Sequence, residues 1–283
     1  MFDWEDLRYF SVFAQEQSLS AAARKLKVDH ATVARRISAL EASLNLKLVD
    51  RRPRSYELTA DGERIAKLGK RMEVESFAVE RSALAGQAGA VGEVTVSAPP
   101  ALACSLIAPH LGKLRREHPQ LSLQLLGNLG SVSLTRREAD VAIRLSRPTE
   151  PDFVARKVAT IAFALYGSAD YLDRTPADQL NFIAYDESME QTTQQVWLLK
   201  QAADRPILLR SNDLNIQAMA AKAGVGLAAL PYFLGEQYSL KPAAISGPAL
   251  EREVWLVTHN DIRHTASVQA VMTFLAQCLA PPV

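Results

Sequence analysis

The segment SLSAAARKLKVDHATVARRISALE, residues 18–41, predicts two short helices that are joined by a tight turn. In its second half and just beyond, apolar residues recur as on one face of a helix: Val33, Ile37, Leu40 and Leu44. Asp29 stands where the N-cap of this second helix belongs, and Ser20 is the cap that we expect for the helix before it. The segment therefore predicts a helix-turn-helix at about residues 19–38.

The opposite face of the second helix combines small side chains with basic ones. At about 100° per residue, the outward positions and their flanks include His30, Ala31, Thr32, Arg35 and Arg36. Small side chains let a helix approach a DNA groove closely, and arginine suits both guanine edges and phosphates. We expect the central Arg35 to contact a base and the flanking Arg36 to contact a phosphate. The alternative is an amphipathic core helix whose polar face is only solvated.

Positive charge is concentrated around this segment. Residues 24–54 contain nine lysines and arginines against three acidic residues, an excess of six in a chain with a formal net charge of +1. The end of this run, RRPRS, combines turn-forming residues with arginines that suit DNA contact: Arg51, Arg52 and Arg54. A basic patch on a nearly neutral protein is typical of a polyanion-binding surface. The sequence therefore predicts a winged helix-turn-helix DNA-binding domain in residues 1–60.

A long polar helix is predicted to follow, from Thr59 as its N-cap to about Gly86. Its apolar positions form a loose heptad seam: Ile65, Leu68, Met72 and Val79. A helix this polar cannot bury itself against one small domain, and the seam has no evident partner within the chain. We therefore expect residues 59–91 to form a linker and dimerisation helix that pairs with a second copy and ends in a glycine-rich joint.

Beyond Gly92, predicted strands alternate with helices, which is typical of an α/β domain with a mostly parallel sheet. Ligands of such sheets bind beyond the carboxyl ends of the strands. The candidate ligand contacts follow predicted strands there: Pro100, Ala101, Asn128, Arg144 and Asn212. Arg144 is the cation among them that suits a carboxylate, with a surface or interdomain salt bridge as the alternative. The expected ligand is therefore a small organic acid.

The chain resembles the LysR-type transcriptional regulators over essentially its whole length. The resemblance rests on LRYF at residues 7–10, SLSAA at 18–22, VARRISALE at 33–41 and LTADG at 58–62. The chain departs from the usual family residue at His30 (glutamine), Ala34 (serine), Asn45 (glycine) and Val49 (phenylalanine). Because of the changes at His30 and Ala34, the base preference of the family does not transfer to this chain. Asn45 is compatible with the fold, because asparagine accepts the left-handed backbone of a helix C-cap.

This resemblance implies the rest of the architecture and the function. The implied fold is an all-α winged helix-turn-helix and linker helix, followed by a two-lobed α/β effector-binding domain of the periplasmic-binding-protein type in residues 92–283. Lobe one is expected to comprise residues 92–161 and 264–283, and lobe two residues 162–263. The implied function is sequence-specific regulation of transcription. Its expected partners are double-stranded DNA, a small-molecule effector and further copies of the chain, in a homodimer or homotetramer.

Other functional classes fit less well. The segment GVGLAA, residues 224–229, formally matches a dinucleotide-binding fingerprint, but it follows a predicted helix and opens a strand, the reverse of the required order. The sequence lacks hydrolase, phosphate-loop and zinc motifs, so we expect no cofactor, no metal and no enzymatic activity. It also lacks an apolar run of roughly 18 residues and a signal peptide, so a cytoplasmic location is expected. An α/β enzyme with a helical appendage, or a ligand-binding adaptor that no longer contacts DNA, remain the alternatives.

Overall fold

The structure is a computed structural model that describes residues 1–52, 55–85, 89–128, 133–135, 138–244 and 250–280. The chain forms two units, Met1–Arg81 and Ser82–Val283, each with a hydrophobic core of its own. Among the described residues, none of the helices combines the length and the apolar character that crossing a bilayer requires.

The first unit consists of a helical core with a β-hairpin and the start of a long helix. Its elements are α1 (Trp4–Glu16), α2 (Leu19–Leu26), α3 (His30–Leu44), β1 (Val49–Arg52), β2 (Ser55–Leu58) and α4 (Ala60–Ala85). The first two strands pair antiparallel and form the predicted wing. The turn of the wing, at Pro53 and Arg54, lies outside the described residues. Buried side chains from the helices fill the core, including Leu7, Phe10, Phe13, Ala22, Val33, Ile37 and Leu40.

Local hydrogen bonds set both ends of α3. Asp29 caps its N-terminus as predicted, because the carboxylate accepts a hydrogen bond from the backbone N–H of Thr32 at 2.6 Å. Asn45 ends the helix with a left-handed φ of 51°, which asparagine tolerates better than most residues. The expected compensation for the missing glycine is therefore confirmed.

The start of α2 differs from the prediction. Ser18, not Ser20, is the N-cap, and its hydroxyl accepts a hydrogen bond from the backbone N–H of Ala21 at 3.3 Å. Ser18 has an extended backbone, with φ −149° and ψ 125°, that directs its side chain over the first turn. Ser20 is already the second helical residue, so it cannot serve as the cap.

The long helix α4 begins where the sequence predicts. The hydroxyl of Thr59 accepts a hydrogen bond from the backbone N–H of Gly62 at 2.9 Å, and the predicted end at Gly86 lies outside the described residues. Ile65 packs against the core of the first unit, so the expectation that the whole seam lacks a partner within the chain is wrong for this residue. The reason is that the first turns of α4 lie against the helical core. The remaining seam residues are exposed: Leu68, Met72 and Val79.

In its described residues, the second unit contains a sheet of nine strands that is covered by helices. Its strands are β3 (Gly92–Ala98), β4 (Leu121–Gly127), β5 (Val141–Arg144), β6 (Phe153–Gly167), β7 (Phe182–Ala184), β8 (Ile207–Arg210), β9 (Leu227–Pro231), β10 (Lys241–Pro242) and β11 (Leu250–His259). Its helices are α5 (Pro100–Leu102), α6 (Leu111–Glu117), α7 (Ala169–Arg174), α8 (Thr193–Ala202), α9 (Leu214–Lys222), α10 (Tyr232–Gln237) and α11 (Ala266–Leu279). The strand order is β4-β3-β5-β11-β6-β9-β7-β8, with β10 paired to β6.

The sheet is mixed and not mostly parallel. β3 runs parallel to β4 and β5, and β7 runs parallel to β8 and β9. Between these two halves, β6 and β11 run antiparallel to each other and to the strands beside them. These are the two longest strands among the described residues, and they cross from one half to the other.

The helical segment that runs from α5 through α6 is irregular. Between α5 and α6 the backbone forms a π-helical turn, Ala103–Ile107, and a 3₁₀ turn, Ala108–His110. Pro109 lies within this stretch, and a proline removes one backbone N–H from the hydrogen-bond ladder of a helix.

Candidate nucleic-acid interface and effector cleft

The helix α3 carries the predicted DNA-contacting residues on the side away from the core. The exposed positions are His30, Ala31 and Arg35, opposite the buried Val33, Ile37 and Leu40. Thr32 is half-buried, and its hydroxyl donates a hydrogen bond to Asp29 at 3.0 Å. The hydrogen bonds from Thr32 lower the pKa of Asp29. Within the described residues the Arg35 guanidinium has no hydrogen-bond or ion-pair partner, so it is available to a ligand.

Arg36 is held against α1. Its Nη1 lies 3.0 Å from Oδ1 of Asp6 and 3.7 Å from Oδ2 of Asp3, and its guanidinium carbon lies 5.6 Å from the centre of the Tyr9 ring. The hydrogen bond to Asp6, whose side chain is buried, raises the pKa of Arg36. This geometry favours a role for Arg36 in joining α3 to α1 over the phosphate contact that the sequence predicts.

Glu41 connects α3 with the wing. Its Oε1 accepts hydrogen bonds from the backbone N–H groups of Leu48 at 2.8 Å and Val49 at 3.0 Å. Its Oε2 accepts a hydrogen bond from Nη2 of Arg51 at 3.0 Å, and the same nitrogen donates to Ser38 at 2.7 Å. One carboxylate therefore ties the start of the wing to the helix. Of the other predicted wing contacts, Arg52 belongs to β1 and Arg54 lies outside the described residues.

Sequence reasoning missed the supporting roles of Asp6 and Glu41. Asp6 pairs with Arg36 and Glu41 pairs with Arg51, and both arginines belong to the basic run of residues 24–54. Glu41 lies within this run itself. An acidic residue inside such a run indicates that some of the arginines are paired within the fold. The sequence alone does not show which arginine each of them binds.

The second unit contains a cleft beyond the carboxyl ends of β3, β4 and β5. It consists of two adjoining cavities, a polar compartment of about 210 Å³ and an apolar compartment of about 90 Å³. The residues that line both are Pro99, Leu145, Tyr185, Met189 and Gln194. The polar compartment is also lined by Ser97, Asn128, Arg144, Ser146, Thr192 and Arg252, and the apolar compartment by Pro100, Ala101, Asp213 and Leu214.

The cleft therefore brings together most of the predicted ligand contacts. Asn128 and Arg144 line the polar compartment, and Pro100 and Ala101 line the apolar compartment. Asn212 lines neither compartment and is exposed.

Asp213, the residue after Asn212, lines the cleft where Asn212 was expected to do so. Asp213 is the N-cap of α9, and its Oδ1 accepts a hydrogen bond from the backbone N–H of Asn215 at 2.6 Å. Capping directs the Asp213 side chain toward the helix end, where it also lines the apolar compartment. Asn212, one residue earlier, is thus left outside the cleft.

Arg144 forms the salt bridge that the sequence analysis left open as an alternative. Its Nη1 lies 3.0 Å from Oε1 of Glu150, and its guanidinium carbon lies 5.3 Å from the centre of the Phe153 ring. A hydrogen bond from its own backbone N–H, together with the contact to Arg144, lowers the pKa of Glu150. The Glu150 carboxylate is therefore ionised at neutral pH, and its negative charge balances the guanidinium of Arg144.

Arg252 is a second cation in the polar compartment, and sequence reasoning missed it. It lies within β11, where its Nη2 donates a hydrogen bond to the carbonyl oxygen of Leu145 at 3.0 Å. Burial lowers the pKa of Arg252, although arginine stays protonated in proteins. The buried Tyr185 beside it keeps its proton, because burial raises the pKa of the phenol. Arg252 follows no motif and no predicted strand end, so the sequence offered no signal for it.

Comparison with known proteins identifies both units. Residues 4–63 match the family model of the bacterial regulatory helix-turn-helix protein, lysR family, and residues 87–280 match that of the LysR substrate binding domain. The Mau operon transcriptional activator of Paracoccus denitrificans is 28% identical over 98% of this chain and 97% of its own length. The AhcY transcriptional activator HvrB of Rhodobacter capsulatus is 31% identical over 78% of this chain and 77% of its own length.

Solved structures share the fold over the full length. The virulence activator AphB of Vibrio cholerae, a member of the LTTR protein family, has a TM-score of 0.59 at 22% identity and covers 98% of this chain and 99% of its own. CrgA of Neisseria meningitidis, a LysR-type transcriptional regulator, has a TM-score of 0.58 at 21% identity and covers 99% of this chain and all of its own. The chain therefore belongs to the LysR-type transcriptional regulators, oligomeric proteins that bind DNA and small-molecule effectors and are not enzymes.

Proposed function

We propose that the chain reads its operator with the N-terminal half of α3 and holds the duplex with the wing. Arg35 carries this proposal, because it is exposed, lacks a partner among the described residues and lies on the face that also exposes Ala31. An arginine in that position can donate two hydrogen bonds to a guanine in the major groove. The proposed DNA contacts are His30, Ala31, Thr32 and Arg35 on α3, and Arg51, Arg52 and Arg54 in the wing.

The test compares two arginine variants on two duplexes, the DNA that flanks the gene of this protein and a scrambled sequence of equal length. Arg35→Ala should cost about 1–3 kcal/mol on the flanking DNA and much less on the scrambled one, because the lost contact reads a base. Arg51→Ala should weaken both complexes alike and make affinity less dependent on salt. Fluorescence anisotropy at several salt concentrations measures both effects. Equal losses on both duplexes for Arg35→Ala would contradict base reading.

We also propose that the effector is a small organic acid bound in the cleft, with Pro100, Ala101, Asn128 and Arg144 among its contacts. Two arginines and several neutral polar side chains line the polar compartment, and none of its described lining residues is acidic. Such a lining favours an anion over a cation. Calorimetric titration of the full chain with small carboxylic acids, phosphates and neutral sugars tests this class. Binding of the sugars alone would contradict it.

We infer further that the exposed seam of α4 pairs with a second copy, giving a homodimer and, through two dimers, a homotetramer. Leu68 and Met72 line an apolar groove of about 370 Å³ on the first unit, and Val79 is exposed further along the helix. Pairing would remove this apolar surface from water. Sedimentation should give a dimer or tetramer, and Leu68→Glu together with Met72→Glu should shift it toward smaller species. A monomer at micromolar concentration, free and on DNA, would contradict the assembly.

A further inference from the structure

The two arginines of the polar compartment differ in what neutralises them. The charge of Arg144 is matched by Glu150 at 3.0 Å. Arg252 has a backbone carbonyl as its hydrogen-bond partner, and within the described ranges of the chain none of the acidic side chains forms an ion pair with it. The compartment as described therefore contains one positive charge that has no counterion in the fold.

A half-buried cation without a counterion is costly to keep. Removing a charged group from water weakens its hydration, and a carbonyl oxygen compensates less than a carboxylate does. An anionic ligand that enters the compartment would supply the missing charge and accept hydrogen bonds from the guanidinium. The phenol of Tyr185, which lines both compartments, would then be a neutral neighbour of that anion.

The apolar compartment limits the rest of the ligand. Pro100, Ala101, Met189 and Leu214 supply apolar lining at this end of the cleft. Asp213 also lines it, with its Oδ1 accepting backbone hydrogen bonds at the start of α9. A second carboxylate on the ligand would meet this negative charge, whereas an apolar group would be buried.

We propose that Arg252 selects the charge of the effector, and that the effector is a monocarboxylate whose apolar body occupies the apolar compartment. The inference rests on the proposed function of the cleft as a site for a small organic acid, and it narrows that class. The sequence favours Arg144 for the role of selecting the charge of the ligand. The inference assigns this role to Arg252 of β11.

The ligand test uses calorimetry on the full chain with 3-methylbutanoate, hexanoate and 3-phenylpropanoate as monocarboxylates. Three comparators separate the alternatives: 3-phenylpropanamide lacks the charge, phenylalanine adds an ammonium group, and succinate adds a second carboxylate. We expect at least one monocarboxylate to bind at least tenfold more tightly than each comparator. Tighter binding of succinate or phenylalanine would overturn the inference and leave the proposed small-acid class standing. If no acid in the set binds, the proposed class and the inference both fail.

The residue test uses Arg252→Gln and Arg252→Lys, with Arg156→Gln as the matched control. Arg156 is an exposed arginine on the neighbouring strand β6 and lines neither compartment. Arg252→Gln should weaken monocarboxylate binding at least tenfold, Arg252→Lys should weaken it less, and the control should match the parent chain. Unchanged affinity in Arg252→Gln would overturn the assignment.

Thermal unfolding without ligand checks that each variant is folded. If Arg252→Gln proves unstable, the decision passes to Arg252→Lys. This variant keeps the charge but loses the planar pair of donors, and it should still discriminate the acid from its amide. Loss of that discrimination in a folded Arg252→Lys chain would overturn the inference.

Discussion

The proposed DNA-binding face of α3 and the proposed effector cleft each contain arginines in two different situations. In each region at least one arginine is paired with a carboxylate within the fold, and one other arginine of the site has no such partner among the described residues. The paired residues are Arg36 and Arg51 in the first unit and Arg144 in the second; the others are Arg35 and Arg252. The paired arginines help to build each site, whereas the charge of the other two is left for a ligand to match.

The two regions differ in the solvent around the unpaired arginine. Arg35 is exposed, so its proposed attraction to DNA would act through water and be screened by salt. Arg252 is half-buried, so its charge is less screened and more dependent on the exact partner. The exposed Arg35 therefore suits a long polyanion, and the half-buried Arg252 suits a single small anion.

The carboxylate of Glu41 offers the largest test of this division, because it pairs an arginine and also accepts two backbone hydrogen bonds. Glu41→Ala leaves the N–H groups of Leu48 and Val49 without their acceptor. We expect the free energy of unfolding of the first unit to fall by about 2–4 kcal/mol, and operator affinity to fall with it. Urea denaturation followed by circular dichroism measures the first effect.

The controls for this prediction are Glu41→Gln, which keeps one acceptor oxygen, and Glu63→Ala, which removes an exposed glutamate from α4. Glu41→Gln should lose less stability than Glu41→Ala, and Glu63→Ala should lose almost none. If Glu41→Ala is as stable as Glu63→Ala, the wing does not depend on this carboxylate.

The sequence predicts the first region well because its signals are local. The spacing of Val33, Ile37 and Leu40 and the cap at Asp29 define α3 within a few residues, and the structure confirms them. The partner of Arg36 could not be predicted in this way. Asp6 lies on another helix, so only tertiary packing decides that the two meet.

The cleft is harder to predict because it is assembled from distant segments. Asn128 follows β4 and Arg144 is the last residue of β5, so both could be inferred from the rule for parallel sheets. Arg252 comes from a long antiparallel strand, whereas the sequence predicts a mostly parallel sheet. The sequence predicts Asn212 as a cleft residue, but the next residue, Asp213, lines the cleft. As the N-cap of α9, Asp213 directs its side chain toward the start of that helix.

Arg36 gives the next test, because its pairing favours a structural role over the phosphate contact that its position on α3 predicts. Arg36→Gln leaves the buried Asp6 without its nearest cation, so the first unit should unfold several degrees lower than in the parent chain. The dependence of DNA affinity on salt should change little. Thermal unfolding and anisotropy at several salt concentrations measure these effects.

Arg24→Gln is the control for Arg36→Gln, since Arg24 is an exposed arginine of α2. It should not lower the unfolding temperature. A chain with Arg36→Gln that unfolds normally but shows a shallower salt dependence would identify Arg36 as a phosphate contact and break the comparison.

Replacing Glu150 removes the carboxylate that Arg144 contacts in the cleft. Glu150→Gln removes the carboxylate next to Arg144 and leaves two cations in the polar compartment. Affinity for succinate should rise by about threefold to tenfold, a modest gain because Glu150 is itself exposed. Calorimetry measures the gain, with Glu251→Gln on β11 as an exposed control. Equal succinate affinities in both variants would mean that Glu150 does not mask Arg144.

Asp29 offers the smallest effect, since this carboxylate is exposed at the N-terminus of α3. The hydrogen bond from the backbone N–H of Thr32 lowers its pKa below the ordinary value of 3.8, so folding favours the ionised form. Its contribution to stability is therefore complete above that ordinary value and is lost as the pH falls through the lowered pKa. Asp29→Asn keeps the cap oxygen but cannot titrate, so it should match the parent chain near neutral pH. Below pH 4 the parent chain alone should lose this contribution, so its unfolding temperature, measured across that range, should fall below that of the variant. A parent chain and variant that keep the same difference at every pH would show that the cap acts without its charge, and that the exposed face of α3 depends on hydrogen-bond geometry alone.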